Sequence, residues 1–218
     1  TLSTMFGSHL QGMPIIAENG TYVVRDGVDI SSSTIDPNLT REVITGVRQL
    51  RNDGHDVGLV VATKSIAYLE RGDDPFVSHV ATYYHSHRIV KDLSEHTDDV
   101  IKLSIYDFRE ASEATYPTMQ RTAPEHQVIL ATPNWVDIMN PGVNKGSAVE
   151  AVQRDLGVTA DQTAIFGDFL NDLEMMPMAK WSFAMANGHP NIVKASNYVA
   201  PPNTENGVIT VLAALLGT

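Results

Sequence analysis

The sequence predicts an α/β protein, with a parallel, doubly wound sheet in its last third and a self-contained α+β unit in its middle. Three observations carry this. After Asn144 short apolar runs alternate with helical patterns, the arrangement of βα units around a parallel sheet. The middle instead orders helix, two strands, helix, strands, helix, two strands, an α+β pattern. The apolar run Thr163 to Phe166 has strand length and stops at Gly167, then delivers Asp168, Asn171 and Asp172 within five residues. A strand presenting acids at its carboxyl end, just ahead of a helix, is where open α/β sheets build their sites.

Taken in order, residues 1–10 read as the tail of an amphipathic helix, ending at Gln11-Gly12. Met13 to Ala17 is a short strand, and Glu18-Asn19-Gly20 turns it into Thr21 to Val24. Arg25-Asp26-Gly27 reads as a hairpin turn into Val28 to Ile30. Asp36-Pro37 opens a helix, with a capping residue ahead of a proline, and the helix ends near Asn52. Strands follow at 57–62 and 66–69, and Asp74-Pro75 opens another helix to about Ala81. A segment from Arg88 to Leu93, a strand at 100–106, a helix at about 109–121, and strands at 128–131 and 135–139 complete the middle. Asn144 caps a helix to Leu156 that Gly157 ends. Strand 163–166, helix 171–179, strand 182–185, helix 190–195, a short strand near Tyr198 and helix 207–216 finish the chain.

The 218 residues are 43% hydrophobic and 19% charged, ordinary for a globular protein with a sizeable core. A net charge of -11 argues against nucleic acid or an anionic membrane as partner, and means that a phosphorylated ligand must meet a local cation. With no cysteine, disulfides and thiolate metal sites are excluded. No run of about 18 apolar residues suggests a membrane-spanning helix. The start, Thr1 to Met5, has no basic n-region and reads as the middle of a helix.

Asp168 and Asp172 stand four apart, so a helical turn would point both carboxylates the same way. A hard cation such as Mg²⁺ takes a few carboxylates, several waters and a substrate phosphate. The alternative is a helix cap at Asp168, with Asn171 and Asp172 favoured near the positive helix end.

The blocks Asn140-Pro141-Gly142-Val143-Asn144-Lys145-Gly146, Ile165-Phe166-Gly167-Asp168-Phe169-Leu170-Asn171-Asp172 and Phe183-Ala184-Met185-Ala186-Asn187 resemble the Cof-type (class IIB) branch of the haloacid dehalogenase superfamily. Ile15-Ile16-Ala17-Glu18-Asn19-Gly20 and Asn206-Gly207-Val208 fit the same pattern, so the resemblance spans nearly the whole chain. It implies a Rossmann-like core at 1–31 and 135–218 with an inserted C2B-type α+β cap at 32–134, which closes over the site and chooses the substrate. It further implies a cytoplasmic, Mg²⁺-dependent phosphatase of small phosphorylated metabolites, sugar phosphates foremost, acting as a monomer or weak homodimer.

The resemblance assigns Lys145 to neutralising the phosphoryl group and Asp168 to the metal, with Asp172 in a second shell or joined through water. Asn171 then bonds a phosphate oxygen or orients Asp168. Lysine in the first turn of a helix opposes the macrodipole, which favours a functional over a structural reading. The family's other two motifs, an aspartate pair that supplies the nucleophile and a phosphate-holding Ser or Thr, have no match. They are expected on an upstream segment of about 40 residues, near the size of one βαβ unit. Alone, the chain is expected to be inactive. The competing readings are a class IIB phosphomutase and a non-catalytic phospho-metabolite-binding relic. Weaker candidates are Asn187, a His85–His87 metal pair set against solvated histidines, Glu18 and Asn19 at the cleft mouth, and Lys64, Tyr68, Lys102 and Trp135 as substrate contacts. Met175, Met176, Met178 and Met185 read as core filler.

Overall fold

The computed structural model describes residues 7–217, so the expected helical tail at 1–10 lies mostly outside the described residues, and only a 3-10 turn at Gly7–Leu10 is seen. The chain forms two compact units, one containing Ser32–Gly142 and the other made of Leu10–Ser31 with Val143–Thr218.

The first unit is built on a six-stranded sheet. Its strands are β4 (Val57–Thr63), β5 (Ala67–Leu69), β6 (His87–Ile89), β7 (Val100–Asp107), β8 (Gln127–Leu130) and β9 (Trp135–Met139), in the order β6-β5-β4-β7-β9-β8. Every pairing is antiparallel except β5 with β6. The sheet therefore includes β9, which lies beyond the expected 32–134 boundary of this unit.

Helix α1 (Pro37–Asn52) starts where Asp36 accepts the Asn38 N–H at 2.6 Å and Pro37 presets the first turn. It buries Leu39, Val43, Ile44, Val47 and Leu50 against Leu59, Val61, Leu103, Ile105, Val136 and Ile138. Side chains alternate across a strand, so Lys102, Ser104 and Tyr106 of β7 take the opposite face. There α2 (Asp74–Tyr83) packs Phe76 and Val80 against Val60, Tyr106 and Trp135. Lys102 and Ser104 remain polar at this depth because Asp137 takes both, at 3.4 Å and 2.6 Å. Trp135 and Lys102 are thus part of this unit's packing. The Asn140 amide donates to the Ser33 hydroxyl (3.0 Å) and the Thr34 carbonyl (2.8 Å), tying the ends of the unit together.

The helix expected at 109–121 is shorter, α3 (Thr115–Thr122). Asp107 accepts from the Arg109 N–H at 2.9 Å and the Thr115 hydroxyl at 2.6 Å, while Asn134 donates to the carbonyls of Asp107 and Arg109. These bonds hold the preceding residues in a loop.

In the second unit β1 (Ile15–Ala17), β2 (Tyr22–Arg25) and β3 (Val28–Ser32) form a three-stranded meander. Asp26 and Gly27 both take positive φ (50° and 79°), which lets a two-residue turn follow the strand twist. Helix α4 (Lys145–Leu156) has a reciprocal cap between Asn144 and Ser147, and ends at left-handed Gly157. Strands β10 (Ala164–Gly167), β11 (Trp181–Met185) and β12 (Tyr198–Ala200) form a parallel sheet in that order. Helices α5 (Pro190–Ala195) and α6 (Gly207–Leu216) follow β11 and β12. Val149 of α4 packs with Ile165, Ala184, Ile192 and fully buried Met176. Met185 joins Phe183 and Ala200 under Val208 and Val211 of α6.

The helix expected at 171–179 is replaced by two 3-10 turns, Leu170–Asp172 and Met176–Met178. Pro177 has no N–H to donate and its ring crowds the carbonyl four residues back, so a helix cannot run through it. Among the described residues β10 pairs only with β11, and β1 only with β2.

Candidate functional site

The chemistry-bearing residues of the second unit gather around one buried carboxylate. Asp172 is 5% exposed and sits in the 3-10 turn after β10. Its Oδ1 receives the Lys145 ammonium at 2.6 Å, and its Oδ2 accepts the backbone N–H groups of Asp168 (3.0 Å) and Phe169 (3.3 Å). An ionised carboxylate at that depth is tolerable only when its lone pairs are met, and three donors meet them here. Asp172 thus fastens the amine at the start of α4 to the loop at the end of β10.

Lys145 reaches this point because Asn144 starts α4 beside that loop. The approach is close enough to exclude any side chain at the next position. A Cβ on Gly146 would stand 2.3 Å from the Glu174 carbonyl oxygen and 3.0 Å from the Asn144 side chain.

Asp168 differs from Asp172 in kind. It is exposed, and its carboxylate makes no hydrogen bond or ion pair with another described residue. Its backbone, by contrast, is fixed at both ends: the N–H by Asp172, and the carbonyl by the His189 N–H at 2.7 Å. A rigid backbone carrying an uncommitted carboxylate is a good holder for a cation. No group of three or more His, Cys, Asp or Glu side chains among the described residues is arranged for a metal. Mg²⁺ keeps most of its waters and binds through one or two carboxylates plus substrate phosphate, which Asp168 fits.

Asn171 is exposed, and its Nδ2 lies 3.4 Å from the Asn19 Oδ1 on the turn after β1. The structure therefore joins the Lys145 amine to Asp172 and, through Asp172, to the backbone of Asp168, while the Asn171 side chain in the same turn meets Asn19. It also adds His189, whose backbone pins Asp168. The Gly188-His189-Pro190 signal after β11 is visible in the sequence, but nothing local links it to Asp168.

The weaker candidates lie elsewhere in the bonding pattern. The Asn187 amide donates to Asn203 at 2.9 Å and so ties the loop after β11 to the loop after β12. His87 Nδ1 bonds the Tyr84 carbonyl at 2.8 Å. Tyr68 stacks on His96 at 4.1 Å, beside a shallow recess of about 250 Å³ that Lys64 also lines.

A family model described as haloacid dehalogenase-like hydrolase matches residues 3–212. The chain is 28% identical over 221 residues to the 5-amino-6-(5-phospho-D-ribitylamino)uracil phosphatase YbjI of Escherichia coli, covering 99% of this chain and 79% of that protein. Among solved structures, a Thermotoga maritima protein superposes with a TM-score of 0.85 at 23% identity, over 98% of this chain and 81% of the other. The sugar phosphatase BT4131, described as subclass IIB of the same superfamily, superposes with a TM-score of 0.70 at 19% identity, over 94% and 75% of the two chains.

Proposed function

The chain belongs to the haloacid dehalogenase-like hydrolases, and from that membership we propose that it hydrolyses the phosphoric monoester of a small phosphorylated metabolite. The observation that supports the reading is the junction at Asp172, whose carboxylate holds the Lys145 ammonium on one oxygen and the backbone N–H of Asp168, a residue with an uncommitted side chain, on the other. A protein with net charge -11 needs such a local positive group to admit a dianion. The Lys145 amine opposes the charge of the phosphoryl oxygens, and Asn171 offers an amide N–H to them. Asp172 holds the amine in place rather than acting on the ligand. Phosphoryl transfer asks mainly for positioning and charge stabilisation, which is what these residues supply.

Mg²⁺ is the proposed cofactor, with Asp168 as its protein ligand and Asp172 behind it. When bound, it would neutralise further phosphoryl charge. The relatives named as phosphatases of a ribitylamino-uracil phosphate and of sugar phosphates support a sugar or polyol phosphate as the substrate class.

The nucleophile is proposed to be an aspartate on a segment upstream of residue 1, forming an aspartyl-phosphate that water then hydrolyses. On the meander the acids of the β2–β3 hairpin are already engaged: Asp26 accepts the Gly12 N–H and Asp29 the Tyr22 hydroxyl. The second edge of β10 has no ladder partner among the described residues and can accept a further strand beside Asp168. On this reading the 218 residues alone do not turn over.

The test is release of inorganic phosphate from p-nitrophenyl phosphate and from a panel of sugar and polyol phosphates. It uses the chain extended by its natural upstream codons, with and without Mg²⁺. Mg²⁺-dependent release is expected. A hexose 1-phosphate converted to its 6-phosphate without free phosphate would replace hydrolysis by group transfer. Absence of release from every ester would leave only ligand binding.

A further inference from the structure

The turn Glu18–Gly20, directly after β1, is in an unusual backbone state. Glu18, Asn19 and Gly20 take φ of 49°, 57° and 101° in succession. Asparagine tolerates the left-handed region and glycine is indifferent to it, but glutamate there is strained. Such a conformation persists only where its surroundings over-determine it. Two contacts do so here. Gly20 is pressed so closely on the cap of α4 that a Cβ would stand 2.3 Å from the Asn144 carbonyl oxygen. At the tip, Asn19 Oδ1 faces Asn171 Nδ2 at 3.4 Å. One strained turn therefore touches both halves of the site: the residue that starts the Lys145 helix, and the amide two residues beyond Phe169.

We propose that Asn19 is a positioning residue for the anion site, accepting one N–H of Asn171 so that the other N–H, and not the carbonyl oxygen, faces the phosphoryl group. The proposal rests on the reading of Lys145, Asp168 and Asn171 as that site, and assigns a function to a turn which Asn-Gly sequence alone explains as a turn. The physical need is clear. A primary amide has a donor end and an acceptor end of nearly equal shape. Rotated by half a turn, Asn171 would present an oxygen to an anion and repel it. A fixed acceptor on Asn19 makes that rotation unfavourable. At 3.4 Å the contact is long for a hydrogen bond and tightens when Asn171 also binds an anion. The effect belongs to orientation rather than to stability.

The test separates backbone from side chain. Asn19→Gly keeps the left-handed backbone and removes the acceptor, while Asn19→Asp keeps an acceptor at the same place. In the upstream-extended protein, Asn19→Gly is expected to leave the thermal midpoint unchanged and lower kcat for p-nitrophenyl phosphate about tenfold, with KM little altered. In an Asn171→Ala background the same change is expected to have no further effect, because the group it orients is gone. Equal losses in both backgrounds would overturn the proposal.

A second readout does not depend on turnover. The Asn171 side-chain amide signals, followed by NMR, are expected to shift on adding Mg²⁺ and inorganic phosphate, with only one of the two protons strongly affected. In Asn19→Gly that selectivity is expected to vanish, and in Asn19→Asp it is expected to return. An unselective response in the unaltered protein would also overturn the proposal. If phosphate binds with the expected selectivity but no ester is hydrolysed, the hydrolase reading fails while the role of Asn19 stands.

Discussion

Lys145 and Asp172 meet at 2.6 Å, with the carboxylate almost wholly buried and the amine partly open to solvent. Removing the acid alone, by Asp172→Ala, strands a cation and leaves the N–H groups of Asp168 and Phe169 without their acceptor. Losing one partner of a buried pair costs more than the pair itself contributes. The expected loss is about 2–4 kcal/mol in denaturant unfolding. Asp172→Asn retains an oxygen for the two backbone groups and is expected to lose roughly half as much. A change below about 0.5 kcal/mol in the alanine variant would mean that the junction holds nothing together.

The opposite substitution separates anion binding from folding. Lys145→Met keeps the aliphatic stem and removes a cation that opposes the dipole of α4. Asp172 still has two backbone donors, so the fold is expected to survive with a modest change in thermal midpoint. Binding of inorganic phosphate, measured calorimetrically, is expected to weaken by about tenfold or more. Lys145→Arg is expected not to restore it, since a planar fork does not replace a compact point charge at a site built for one amine. Unchanged phosphate affinity in Lys145→Met would place the anion elsewhere.

Asp168 gives a cleaner separation still, because its side chain has no internal partner among the described residues. Asp168→Asn is expected to stay within about 0.5 kcal/mol of the unaltered stability. In the unaltered protein Mg²⁺ is expected to raise the thermal midpoint by mass action, and in the variant that rise should disappear. A persisting rise would assign the metal to another group.

Much of this arrangement is legible in the residues. Asn144 and Gly157 bracket α4 as capping chemistry requires, and Asp26-Gly27 makes the hairpin it announces. The strand ending at Gly167 delivers its acids where expected. The division of labour between those acids is not legible, because a spacing of four fits a helical face as well as a folded-back turn. The turn wins here: Asp172 Oδ2 captures the backbone N–H groups of Asp168 and Phe169. At 171–179 the apolar, Met-rich period signals a helix, and Pro177 is the residue that signals against it. The Asn19–Asn171 contact joins residues 152 positions apart. Local pattern cannot foresee such a pairing.

Acid stability tests the first unit separately. Asp92 accepts from Ser94 through its hydroxyl (2.6 Å) and its N–H (2.8 Å), and from Arg48 at 2.7 Å; these bonds hold its carboxyl down at about 2. A depressed carboxyl stabilises the fold above its unfolded value, near 4, and that contribution fades as pH falls toward 2. The Arg71 guanidinium holds Asp73 below its usual range in the same direction. The thermal midpoint is expected to drop between pH 4 and pH 2, and the drop should be shallower in Asp92→Asn. Because Asp92 is at the surface, high salt is expected to blunt the difference. An identical acid profile in the variant would show that Asp92 does not report on folding.

Gly146 offers the sharpest test of how the site is assembled. Alanine is the better helix former by about 1 kcal/mol, so on propensity alone Gly146→Ala should stabilise α4. Packing argues the reverse, since the new methyl would meet the Glu174 carbonyl at 2.3 Å and backbone on both sides would have to part. Close-packed interiors charge about 1–3 kcal/mol for such overpacking, which outweighs the propensity gain. The separation would also lift Lys145 from Asp172, because the two neighbouring positions share one helical turn. Gly146→Ala is therefore expected to lower both stability and phosphate affinity, whereas Gly157→Ala at the far end of α4 should lower stability alone. A more stable Gly146→Ala protein with intact phosphate binding would show that α4 and the turn after β10 do not need the contact that brings the amine to the carboxylate.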